Sequence, residues 1–88
     1  MPDQAPPRFR SFARFERVDQ AGNVARFYVV ERRVTLWGEP AVVSTWGRIG
    51  GTGRSLATIC QDQAEAERVA DREAGRRLER GYALTARI

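Results

Sequence analysis

The chain has 88 residues and a net charge of +4, with no histidine, one cysteine, and fifteen basic residues that are all arginine. That length suits one domain with a small core. Without histidine, Ser/His/Asp and Cys/His nucleophile systems are excluded, and Cys60 alone supplies neither a zinc ligand set nor an intramolecular disulfide. Most of the carboxylates fall on one helical pattern, where solvated charge is the ordinary use, so no catalytic activity and no cofactor are expected. No apolar run is long enough to span a membrane, and the single cysteine fits a reduced, cytoplasmic setting.

In chain order, Met1 to Pro7 lacks the apolar core of a signal peptide and reads as a disordered arm over residues 1–8, leaving 9–88 for the folded domain. Arg8 to Val18 carries Phe9, Phe12 and Phe15; the spacing is ambiguous, but the aromatic content and the lack of a preceding cap favour a strand. Asp19 to Asn23 is a turn cluster. Arg26 to Leu36 is rich in β-branched and aromatic residues and reads as a second strand, broken at Gly38-Glu39-Pro40. Ala41 to Ile49 and Arg54 to Ile59 are two further strands, joined through the glycine-rich Gly50 to Gly53. Asp62 followed by Glu65 is an Asp form of the capping box, opening a helix that runs to about Arg80 and stops at Gly81. Ala66, Ala70, Ala74 and Leu78 form its apolar row, with Val69 beside it. Tyr82 to Ile88 suits a short last strand. The pattern is α+β: an antiparallel sheet with one α-helix packed on one face. Trp37, next to the break, is expected in core or turn packing, and Cys60 as a small buried filler.

Charge is uneven along the chain. Residues 1–58 hold nine arginines and five acids, whereas residues 59–88 hold six of each. The excess therefore lies in the strand-rich part, which favours an anionic partner. Within the helix the acids come first and the arginines last, as the helix dipole prefers, so Arg76, Arg77 and Arg80 are read as dipole partners. An all-arginine complement fits a GC-rich genome. Its consequence is that every cation has the planar fork that grips phosphate through two hydrogen bonds.

The segment Trp46-Gly47-Arg48-Ile49-Gly50, with Gly53-Arg54 just beyond, carries the most specific chemistry. It sets a flat aromatic ring and guanidinium groups at the end of a strand beside a glycine loop. The ring can stack on a sugar or base, the arginines can reach phosphate, and the loop amides can form an anion nest. Gly47 allows close approach of a backbone or a ligand. A Gly53-Arg54-Ser55 phosphate loop is rejected, because Arg48 stands where that motif needs its first glycine.

These residues resemble the WGR domain family, which occurs in DNA-dependent poly(ADP-ribose) polymerases and in short, stand-alone bacterial proteins. The resemblance covers residues 23–82 in four ordered pieces: Asn23 to Tyr28, Thr35 to Glu39, Trp46 to Gly50 with Gly53, and Arg80-Gly81-Tyr82. It implies an antiparallel sheet flanked by one helix. It also implies that Trp46 packs on sugar at a DNA terminus and that Arg48 helps couple DNA binding to neighbouring domains. Ala25-Arg26-Phe27-Tyr28 departs from the Asn-Lys-Phe-Tyr usual in the polymerases and looks like the bacterial stand-alone group. Ser44 and Thr45 stand where many relatives place a basic residue, and no catalytic domain is present in this sequence. The expected site is a non-catalytic rim of Trp46, Gly47, Arg48 and Arg54, extended by Arg26 and Arg33. Its expected ligand is nucleic acid, DNA before RNA, at ends or nicks. The alternative is an adaptor that clamps a protein partner with the same rim.

Overall fold

A computed structural model describes residues 11–88 of the chain. The elements are β1 (Phe12–Asp19), β2 (Val24–Val34), β3 (Pro40–Arg48), β4 (Arg54–Ile59), α1 (Gln63–Glu79) and β5 (Ala83–Arg87). They form an antiparallel five-stranded sheet in the order β4-β3-β2-β1-β5 with one helix, an α+β fold. The expected disordered arm at residues 1–8, and the strand start at Arg8, lie outside the described residues.

Local chemistry sets the element ends. Asn23 adopts a left-handed φ of 56° in the β1–β2 turn, a conformation asparagine tolerates. Asp62 caps α1, its Oδ1 accepting from the Glu65 amide at 2.8 Å, while Glu65 Oε1 accepts from the Gln61 amide at 2.6 Å. At the other end the Tyr82 amide donates to the Arg77 carbonyl and the Gly81 amide to that of Leu78. With Gly81 at φ 88°, this is a Schellman cap, and it fixes where Tyr82 goes.

Four strands form a meander, and then α1 carries the chain from the β4 edge to the β5 edge. The helix is about 25 Å long and the two edges are about 19 Å apart, so it must cross the sheet obliquely. The alanine row lets it lie close. Ala66, Ala70 and Ala74 are buried against Ala13, Phe15, Val30 and Val42, with Cys60 closing the core. Burial, with Glu65 and Asp62 nearby, pushes the Cys60 thiol above its ordinary pKa, in keeping with an inert filler.

Trp37 corrects an expectation. It is not packed in core or turn but 83 % exposed, and Leu36 beside it is 95 % exposed. The Thr35 hydroxyl accepts from the Trp37 and Glu39 amides, and the Gly38 amide donates to the Thr35 carbonyl. The turn's backbone groups are thereby paired among themselves, and both apolar side chains are held outward.

Candidate nucleic-acid interface

The oblique helix leaves one corner of its face of the sheet bare, beside the ends of β2, β3 and β4 that meet the glycine loop. A cleft of about 640 Å³ occupies this corner. The register builds it. Residues directly opposite in antiparallel strands share a face, so Tyr28 stands beside Trp46, and Trp46 beside Arg54. Tyr28 and Trp46 stack with ring centroids 6.0 Å apart and planes 18° from parallel. One row further, Arg17, Arg26 and Arg48 lie side by side across β1, β2 and β3. Like charges in one row repel, and among the described residues neither Arg17 nor Arg26 has a carboxylate partner.

The wall of the cleft comes from α1 and its C-cap. Val69, Glu73, Arg77 and Arg80 project from it, and Tyr82 follows the cap. The Arg77 guanidinium lies 4.2 Å from the Tyr28 ring centre and 5.6 Å from that of Tyr82. Its Nε is buried without a hydrogen-bond acceptor. At the base, the Tyr28 hydroxyl donates to Glu73 Oε1 at 3.0 Å, next to the buried Ser44. Burial raises the Tyr28 pKa above the ordinary phenol value. The Ser44 hydroxyl and Arg77 pull it down, and the Glu73 carboxylate pushes it up again. The phenol therefore stays protonated at neutral pH.

The glycines of the motif act on packing. A Cβ on Gly47 would fall 2.8 Å from the Gly53 Cα, and one on Gly53 would fall 2.5 Å from the Trp46 carbonyl oxygen and 2.8 Å from Phe27 Cζ. The loop thus folds tightly back on β3 and on Phe27. The Gly51 amide donates to the Arg48 carbonyl, so it is spent inside the turn rather than offered to an anion.

The structure brings Arg26, Trp46 and Gly47 together as lining of the cleft. Arg48 and Arg54 adjoin it in register; Arg48 is exposed and reaches Asn23 Oδ1 at 3.4 Å. Arg33 stands apart: it lies seven positions along β2 from Arg26, about 23 Å away, with its side chain on the opposite face and paired with Glu31 at 3.4 Å. Arg17, Arg77, Arg80, Tyr28 and Tyr82 were not in the expected rim. For Arg77 and Arg80 the sequence signal was the helical row of Val69, Glu73, Arg77 and Arg80, which flanks the alanine row, while Tyr28 and Tyr82 stood only within the family resemblance. Among the described residues, no group of His, Cys, Asp and Glu stands together as a metal site.

The WGR domain family model matches residues 11–87, nearly all of the chain. The chain belongs to the WGR domain family. No curated protein and no solved structure matches it. The WGR domain is a binding domain rather than a catalytic one, known for nucleic-acid binding in poly(ADP-ribose) polymerases. Among the described residues of this WGR domain, no helix is long and apolar enough to cross a membrane.

Proposed function

We propose that this WGR domain is a non-catalytic module that binds nucleic acid, foremost DNA at ends or nicks, through the arginine-aromatic cleft. One observation carries the reading. Arg17, Arg26, Arg77 and Arg80 line one cleft with a stacked aromatic pair, in a corner the helix leaves bare, with no carboxylate paired to any of the four among the described residues. In this reading the arginines hold phosphates, and the half-buried Trp46 ring takes a sugar or base. Arg48 and Arg54 extend the contact along the adjoining strand ends. Affinity is largely electrostatic, with little base reading.

The test is a titration with a blunt, 5′-phosphorylated duplex, followed by tryptophan fluorescence at low and at physiological salt. Trp46→Phe separates its signal from that of Trp37. Quenching that needs Trp46 is expected. With four phosphates engaged, the slope of log K against log salt is expected to be roughly −3 to −4. No change at any salt, or quenching that persists in Trp46→Phe, would overturn the reading. A protein adaptor is the second reading, favoured by the exposed Leu36 and Trp37 turn at the opposite end of the sheet.

A further inference from the structure

β4 is an edge of the sheet. β3 pairs with one side of it, and among the described residues nothing pairs with the other. The Cys60 amide donates to the Pro40 carbonyl at 2.8 Å. Hydrogen-bonded pairs alternate with non-bonded ones along an antiparallel ladder, so Val42–Thr58, Ser44–Leu56 and Trp46–Arg54 are the bonded pairs that follow. The Thr45 and Ser55 hydroxyl oxygens lie 2.8 Å apart, in keeping with the closer spacing of a non-bonded pair. The N–H and C=O groups of Ser55, Ala57 and Ile59 therefore point away from the sheet.

Edges of this kind are normally blunted by a charge, a proline or a bulge. The other edge, β5, has a register shift against β1 at Arg14/Phe15 and an arginine at its end. β4 carries no such device beyond its first residue, Arg54, and all six of its residues are exposed, with Leu56 at 61 % and Ile59 at 52 %.

We infer that β4 docks a second copy of this chain, strand to strand and antiparallel, about a two-fold axis at Ala57. The strand is complementary to itself. With Ala57 opposite its copy, Ser55 faces Ile59 of the other chain, and the outward groups exchange about six hydrogen bonds. Each side chain keeps its face, and Leu56 is covered beside the other copy's Thr58. The strand's one charge, Arg54, lies about 20 Å along the strands from its counterpart, so pairing brings no like charges together. Small Ala57 at the axis lets the backbones close. Because the axis is perpendicular to the sheet, both helices and both clefts fall on one face. Leu56 and Thr58 of β4 already line the cleft, so the second copy's strand continues its floor. If the clefts take DNA as proposed above, the pair presents two DNA sites side by side; the docking itself does not depend on that reading.

A six-residue strand pair is small against a standard interface, and each copy carries +4. The association is therefore concentration-dependent and strengthens with salt, the opposite of binding to nucleic acid. Sedimentation velocity of the full chain from micromolar to millimolar concentration, at low and high salt and without DNA, tests it. Ala57→Pro removes one outward N–H while sparing the β3–β4 hydrogen bonds. Ala57→Lys leaves the backbone alone and sets two cations across the axis. The expected result is a dimer in the parent chain that grows with salt, with a dissociation constant raised about tenfold or more in both variants. Amide exchange at Ser55, Ala57 and Ile59 slows as concentration rises. A parent chain monomeric throughout the range, or dimerisation unchanged in both variants, would overturn the inference. So would exchange protection that is independent of concentration, since another segment of the same chain would then occupy the edge.

Discussion

Arg77 lies over the Tyr28 ring with its Nε buried and unbonded, an arrangement that folding alone does not reward. An unsatisfied buried donor costs about 1–3 kcal/mol, enough to offset the roughly 0.5–1 kcal/mol of each of the two partly exposed cation–π contacts. Arg77→Met keeps the apolar stem and removes the donor. Urea unfolding should therefore show stability unchanged or higher by up to about 1 kcal/mol. DNA binding should weaken about tenfold, and the salt slope should shrink by about 0.9 as one phosphate contact is lost. A loss of stability together with unchanged binding would make Arg77 a packing residue only. Periodicity could set Arg77 among the helix-end arginines but not show which way it leans. That direction depends on the two tyrosines that meet it, from β2 and from beyond the cap. Trp46, Gly47 and Arg26 were legible because they sit within one local motif and its paired strand. Trp37 was not: its outward pose is set by the Thr35 hydroxyl capturing two amides of the turn, while its sequence neighbourhood looks like that of Trp46.

At the scale of elements, the strands and the helix were readable nearly to their ends, because each boundary carries its own chemistry. Asp62 and Glu65 open α1, Gly81 closes it, and Asn23 turns the first hairpin. The glycine loop shows what such signals leave out. Gly50 to Gly53 reads as a tight connection, yet the strongest constraint is tertiary: Gly53, at φ 79°, is pressed between the Trp46 carbonyl and the Phe27 ring. Gly53→Ala meets both obstacles and a backbone conformation that alanine adopts at a cost of about 1–2 kcal/mol. It is expected to destabilise the fold by about 2–4 kcal/mol, read as a lower denaturation midpoint. An equal Gly50→Ala effect would contradict the packing account, because Gly50 has open space around it and bears only the strain of its φ of 95°.

Across the whole molecule, the cleft follows from a mismatch between a diagonal helix and a five-stranded sheet. The alanine row draws α1 close over β2 and β3, and its path from the β4 edge to the β5 edge uncovers the corner near Trp46. No local pattern encodes that diagonal, so Arg17, Arg77, Arg80, Tyr28 and Tyr82 could not be assembled from the sequence, although the basic excess of the strand-rich part was visible in it. The result is a molecule with two unlike ends. The arginine-aromatic corner lies at one, and the exposed Leu36–Trp37 turn, with Val34, Ile59 and Ile88, lies at the other. The most direct measurement is a map of backbone amide shifts by nuclear magnetic resonance as a blunt, 5′-phosphorylated duplex is added at low salt. The account predicts that the largest shifts fall on Arg17, Arg26, Tyr28, Trp46, Arg77 and Tyr82, with the Thr35–Glu39 turn unmoved. Shifts centred on Leu36 and Trp37, or none at duplex excess, would contradict it.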